Sequence, residues 1–67
     1  MAPTERVAMR VRKWRDRRGL TQEQLAEKAG ISRGYLARLE TARQDPKLST
    51  LEKIAKALRV EVAKLLK

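Results

Sequence analysis

Two arginines and two very small residues share one face of a short segment, and they carry the most specific chemistry in this chain. In residues 33–41 (Arg33-Gly34-Tyr35-Leu36-Ala37-Arg38-Leu39-Glu40-Thr41), a 100° advance per residue turns Leu36 and Leu39 to one side, with Tyr35 at the edge. Gly34, Ala37, Arg38 and Thr41 turn to the other side. Arg33 lies in the first turn. A solvated helix face ordinarily carries Glu and Lys. This one offers small residues that permit close approach to another surface, beside guanidinium groups that can each donate two hydrogen bonds to guanine O6 and N7. Gly34 costs about 1 kcal/mol against Ala inside a helix, so its presence asks for a compensating use. The alternative is a tolerated surface glycine next to solvated arginines.

Catalysis has no comparable set of residues. The 67 residues include no His and no Cys, which removes the usual acid–base and thiol groups, disulfides and the common zinc sites. Ser32 and Ser49 are both accounted for as helix caps. The carboxylates are scattered and mostly flanked by bases, and no glycine-rich loop follows a strand. The chain is read as a non-enzyme with no cofactor and no metal.

The elements that hold the arginine face are legible from their caps. Thr21 with Gln24 forms a Thr-x-x-Gln capping box for a helix over residues 22–29, and Leu20 with Leu25 forms its staple. Leu25, Ala26 and Ala29 make that helix's inward stripe. Gly30 breaks it where a positive φ is cheap. Ser32 caps the next helix, with Ile31 and Leu36 as staple. Two capped helices this closely spaced predict a helix-turn-helix over about residues 21–41. Upstream, Val7, Val11 and Trp14 recur at i, i+4 and i+7 and predict a helix over about 5–17 with Thr4 as N-cap, its apolar face widened by Ala8 and Met9. Arg17-Arg18-Gly19 ends it with cations and a C-cap glycine. Such a basic helix could meet a membrane or an acidic partner, but a core this small needs its apolar face. Downstream, residues 42–47 form a loop that Pro46 keeps from being helical. Ser49-Thr50-Leu51-Glu52 reads as a second capping box, and Leu51, Ile54, Ala55 and Leu58 predict a helix over about 50–58. Val62, Leu65 and Leu66 support a short fifth helix. The expected fold is all-α, five short helices around one core in a single domain over residues 1–67.

Seventeen basic against eight acidic residues give a net charge of +9. The excess is greatest in residues 1–20, with seven basic and two acidic groups, while residues 21–30 are net acidic by one. Such an excess in a small chain points to a polyanion partner. A domain this size buries only about 60% of its unfolded surface. Met1 to Thr4 leads straight into a charged helix without a signal peptide. No apolar run approaches the ~18 residues that would span a membrane. The absence of Cys agrees with a reducing cytoplasm.

Residues 7–66 resemble the Cro/C1-type helix-turn-helix family, the phage-repressor-like or XRE domains. The resemblance runs through Arg10, Val11 and Arg15, then Gly19-Leu20-Thr21-Gln22 and Leu25-Ala26. It continues through Gly30-Ile31-Ser32-Arg33, Tyr35-Leu36, Leu39-Glu40, Arg43, Pro46, Leu51, Ile54-Ala55, Ala57-Leu58 and Val60. It implies a lambda-repressor-like fold whose second motif helix enters the major groove while the first lies across the backbone. Carried over by position, Ser32, Arg33, Gly34, Ala37 and Arg38 are the base-reading residues, although either arginine could instead touch only phosphate. Thr21, Gln22, Tyr35 and Arg43 are the phosphate-binding residues. The free N–H groups at the start of the first motif helix suit an anion, and Tyr35 could equally be a core ring. Arg10, Arg17 and Arg18 would act through the long-range field. Arg15 and Glu40 are implied to form a partly buried ion pair joining helix one to the end of helix three.

The implied function is sequence-specific binding of double-stranded DNA by a small, repressor-like transcriptional regulator, acting as a homodimer on a palindromic operator. Without an effector domain, any sensing would come from a partner or from protein concentration, with no small-molecule effector. The alternative is an antitoxin or protein-binding adapter whose main surface meets another protein. The chain departs from the family at Thr41-Ala42, where Asn-Gly is common, at Arg59, where Gly is common, and at Glu61, where a Ser cap is common. Arg59 is then expected to accept a positive φ at a cost of about 1 kcal/mol.

Overall fold

The computed structural model describes residues 3–67, so Met1 and Ala2 of the expected lead-in lie outside the described residues. Five helices follow in order: α1 (Pro3–Arg17), α2 (Gln22–Ala29), α3 (Arg33–Glu40), α4 (Leu48–Leu58) and α5 (Ala63–Leu66). The expected all-α class holds. Each helix contributes one stripe to a shared core: Val7 and Val11 from α1, Leu25, Ala26 and Ala29 from α2, Leu36 and Leu39 from α3, Leu51, Ile54, Ala55 and Leu58 from α4, and Leu65 from α5. α2 packs on both α3 and α4, while α1 closes the other side against α3, α4 and α5. Among the described residues no helix is long and apolar enough to cross a membrane.

The caps of α2 and α3 form as expected. The Thr21 hydroxyl accepts the Gln24 N–H at 3.0 Å while Gln24 Oε1 accepts the Thr21 N–H at 2.8 Å. Ser32 Oγ accepts the Tyr35 N–H at 3.0 Å. Leu20 and Ile31 sit partly buried against the core that holds Leu25 and Leu36, the burial a staple requires.

The other helix starts differ from expectation. α1 begins at Pro3, so Thr4 is in its first turn and not its N-cap. Proline suits the first helical position because its φ is preset and its missing N–H would have had no helical partner. The Thr4 hydroxyl instead lies 3.5 Å from Asp45 of the α3–α4 loop. α4 begins at Leu48, two residues early, so the Ser49–Glu52 capping box does not form and Ser49 is no cap. Lys47 is the N-cap, without a side-chain bond, and its carbonyl accepts the Leu51 N–H at 3.0 Å. The extended backbone around Pro46 runs only to Lys47, and the helix starts at once after it. α5 is preceded by Val62, not capped by Glu61. α3 ends at Glu40, with Thr41 as its C-cap. Met9 remains 41% exposed and adds little to the α1 stripe, which Ala8 completes instead.

The helix ends follow one rule. Gly19, Gly30, Ala42 and Arg59 all adopt left-handed backbone, with φ of +68°, +71°, +61° and +60°. After each, the next N–H reaches back five residues: Leu20 to Arg15, Ile31 to Ala26, Arg43 to Arg38 and Val60 to Ala55, at 2.8–3.1 Å. This is the Schellman closure, which satisfies carbonyls that a helix end leaves over. Arg59 accepts the positive φ expected of it, and Ala42 does the same in the Thr41-Ala42 departure. A left-handed non-glycine residue costs about 1–2 kcal/mol, whereas added glycine loosens the unfolded chain by about 0.4–1 kcal/mol. Ala42→Gly is therefore expected to stabilise the fold by about 0.5–1 kcal/mol. A thermal melt should show a rise of a few degrees; an unchanged or lower midpoint would mean that the loop carries no such strain.

Candidate nucleic-acid interface

The orientation of α3 depends on one carboxylate. Glu40 is 2% exposed. Its Oε2 accepts Arg15 Nε at 2.7 Å, and its Oε1 accepts both Arg15 Nη2 at 3.0 Å and Gln22 Nε2 at 3.0 Å. Arg15 Nη1 donates in turn to the Leu20 carbonyl at 2.9 Å. The expected ion pair forms, and it is bidentate. It also gathers more than two helices: the end of α1, the α1–α2 connection, the start of α2 and the end of α3 meet at Glu40. Hydrogen bonding to the Glu40 carboxylate holds the Arg15 pKa above its ordinary value, against burial that pushes it down, with the Glu40 and Asp16 charges adding to the rise. Gln22, expected only to meet phosphate, has one amide hydrogen committed to this network.

The outward face of α3 is open. Ser32, Arg33, Gly34 and Arg38 are exposed, and Ala37 is half-buried beside them. Arg33 Nη1 lies 3.5 Å from Glu23 Oε2 of α2, both side chains about two-thirds exposed or more. Arg38 Nε lies 3.5 Å from Gln44 Oε1. Neither contact is tight, and an exposed pair of this kind is worth about 0–1 kcal/mol. A ligand with better acceptors could therefore take over both guanidiniums. A Cβ built on Gly34 would lie 3.5 Å from Arg38 Nη1, so the Arg38 side chain folds back over the surface that the glycine leaves low. Thr21 and Arg43 are exposed and Gln22 and Tyr35 half-buried. The α2 N-terminus lies within one side chain's reach of α3, since Glu23 there contacts Arg33.

Three contributors had no sequence signal of their own. Glu23 and Gln44 hold the two outward arginines, but they sit ten and six residues away across turns. Arg18, expected to act only through the long-range field, donates from Nε to the Leu58 carbonyl at 2.8 Å and so closes the end of α4. Arg17 and Arg18 both lie over the Trp14 ring, 5.2 and 5.3 Å from its centroid, within cation–π range.

Comparison with known proteins agrees with this geometry. The helix-turn-helix family model matches residues 11–65. The chain is 53% identical over 57 residues to the immunity repressor protein of Bacillus phage phi105, a match that takes in 85% of this chain and 40% of that protein. It is 45% identical over 62 residues to the control protein C.SmaI of Serratia marcescens, covering 92% of this chain and 74% of the relative. It thus spans less than half of the phage protein. Its backbone superposes with a TM-score of 0.88 on SinR, a master regulator for biofilm formation solved in complex with DNA, at 35% identity over 91% of this chain and 98% of that one.

Two substitutions test the arrangement. Glu40→Ala strands Arg15 in a poorly solvated place and is expected to cost about 1–4 kcal/mol. Comparing melts of Glu40→Ala, Arg15→Ala and the double variant checks this, and a wild-type melt for Glu40→Ala would mean that the pair does not set the fold. Gly34→Ala meets only ordinary contact distances and gains about 0.5–1 kcal/mol of helix propensity. It is expected to melt slightly higher while binding duplex DNA more weakly, as a melt and a binding isotherm on the same sample would show.

Proposed function

As the chain belongs to the helix-turn-helix family, we propose that it binds double-stranded DNA sequence-specifically and regulates transcription in a repressor-like manner, α3 lying in the major groove. The observation that carries this reading is the outward face of α3. Two exposed, lightly held guanidiniums flank a stretch of minimal bulk, on a helix fixed to its neighbours through Glu40. Ser32, Arg33, Gly34, Ala37 and Arg38 face the base edges, with Arg33 and Arg38 as guanine readers. Thr21, Gln22, Tyr35 and Arg43 hold the phosphates. The start of α2 supports this role, because its capping box uses the N–H groups of Thr21 and Gln24 and leaves those of Gln22 and Glu23 for an anion.

The chain acts by binding and not by catalysis. With neither His nor Cys in the sequence and the Ser32 hydroxyl engaged as a cap, nothing on this face is set up for proton transfer or attack. The described helices act together as one DNA-reading unit, in the cytoplasm. Two such units bind a palindromic operator as a homodimer. Leu65 is buried in the core and Val62, just before α5, packs half-buried against it, so the large apolar side chain of α5 left for a dimer contact is Leu66, which is 41% exposed.

A panel of single-base duplex variants, titrated at several salt concentrations, tests this reading. About 4 to 6 phosphate contacts per protomer give an expected slope of log K against log salt of about −4 to −5 per protomer. The same titration should saturate at two protomers per palindrome. Arg38→Ala should lose about 1–3 kcal/mol on the preferred site and flatten preference at one base pair of each half-site. Arg33→Ala should do so at another pair, nearer the start of α3. Arg43→Ala should weaken all sequences nearly alike and lower the slope by about one. A slope near zero would remove the DNA reading, and identical uniform losses for Arg38→Ala and Arg43→Ala would remove α3 from the groove.

A further inference from the structure

Between the C-terminal halves of α2 and α4 runs a trough of about 390 Å³ lined by Lys28, Ala29, Lys53, Lys56, Ala57 and Arg59. A smaller depression of about 190 Å³ adjoins it, sharing Lys28, Ala57 and Arg59 and reaching Arg18 and Leu20. None of the residues proposed to meet DNA lines either space. Measured from Lys28 of the main trough, Thr21 and Gln22 stand at the opposite end of α2, roughly 10 Å away along the helix axis, while Leu20 of the adjoining depression directly precedes Thr21.

The walls and the floor differ in chemistry. Lys28 stands on one wall, and Lys53, Lys56 and Arg59 on the other. The floor is Ala29, Ala57 and, at the adjoining end, Leu20, all packed on the core. Among the described residues the ion pairs are those of Arg15 with Glu40 and Asp16 and of Arg33 with Glu23. Glu27 and Glu52 immediately precede Lys28 and Lys53 in the chain but lie within salt-bridge distance of none of the trough lysines. Lysines near helix C-termini are expected, because they offset the dipole, and Lys28 and Lys56 occupy such last turns. Lys53 lies a turn earlier, outside that explanation. Arg59 occupies a left-handed position at φ +60° where glycine would close the helix at lower cost, so a guanidinium is kept there against the backbone's preference.

We propose that this trough docks an acidic segment of another protein, a short stretch with carboxylates one helical turn apart around a small apolar side chain. Lys53 and Lys56 are three residues apart on one helix, a rise of about 4.5 Å, which matches carboxylates at i and i+3 or i+4 on a facing helix. The floor of Ala29, Ala57 and Leu20 offers methyl contact that a phosphate backbone does not use, which favours a peptide over a duplex. None of the residues lining the trough belongs to the proposed DNA-reading face. A chain bound to DNA through α3 would keep the trough open, so a partner could be recruited while DNA is held.

The test uses the full chain and a fluorescein-labelled twelve-residue peptide of Glu-Glu-Leu-Ala repeats, followed by fluorescence anisotropy at low salt. The peptide should bind, and a Gln-Gln-Leu-Ala counterpart should not. Lys53→Glu with Lys56→Glu should weaken peptide binding by about tenfold or more, whereas Arg43→Ala should change it by less than about twofold. Saturating unlabelled duplex should leave the peptide bound. If the charge reversal disturbs the melt, Lys53→Gln with Lys56→Gln carries the same test, with an expected loss of about threefold or more. The proposal is overturned if duplex displaces the peptide, if Arg43→Ala and the trough variants lose binding equally, or if the trough variants lose duplex affinity as strongly as peptide affinity. The last result would make the trough a second phosphate surface.

Discussion

Glu40 is a buried carboxylate that three N–H groups satisfy, two from Arg15 and one from Gln22. A carboxylate so withdrawn from water is tolerable only when its acceptor capacity is met. Meeting it requires α1, α2 and α3 to be in one relative placement. Hydrophobic contact alone is non-directional and does not single out this placement as sharply. The network therefore converts a small core into a defined angle between α2 and α3. The outward face of α3 inherits that angle, and so do the positions of Arg33 and Arg38.

The ends of the helices impose a second constraint. Four helices in succession stop at a left-handed residue and close with the same backward hydrogen bond, yet only two of the four residues are glycine. The stop is thus a property of the packing, which leaves room for one sharp reversal between helices, and the residue type adjusts to it. At Arg59 the reversal is supported from outside the helix: Arg18 donates to the Leu58 carbonyl while its guanidinium lies over Trp14. The α1 end and the α4 end are tied there by polar contacts at the edge of the core, just as α1 and α3 are tied at Glu40.

These two constraints explain what could and could not be read from the sequence. The α2 and α3 caps were legible because Thr21–Gln24 and Ser32 are local signals, complete within four residues. The apolar stripes were legible because their period is local as well. The starts of α1 and α4 were misplaced because they depend on competition. Pro3 outweighed Thr4 as the place to begin, and the loop that ends at Lys47 outweighed the attractive Ser49–Glu52 pattern. The Arg15–Glu40 pair came only through resemblance to a family, since nothing within either segment announces a partner 25 residues away. Gln22 joining that pair, Glu23 beside Arg33, Gln44 beside Arg38 and Arg18 on the Leu58 carbonyl were not legible. Each is a tertiary meeting of a polar side chain with a group outside its own helix, and such meetings leave no periodic trace.

The arginines show how placement divides one residue type into different roles. Arg15 is three-quarters or more enclosed, donates from Nε, Nη1 and Nη2 alike, and would lose far more than it gained by turning toward a ligand. Arg18 has its Nε on a carbonyl and an aromatic ring beneath it, so its charge reaches outward only as field. Arg33 and Arg38 each keep one long contact at 3.5 Å in an exposed setting. Contacts of that length narrow the range of side-chain orientations without binding strongly. A guanidinium restrained this loosely gives up little when it transfers to a base edge, and part of its ordering has already been met by the folded chain. The rigid pair at Glu40 and the loose pairs on α3 are therefore complementary: the first fixes where the reading helix points, and the second leaves its reading groups free to exchange partners.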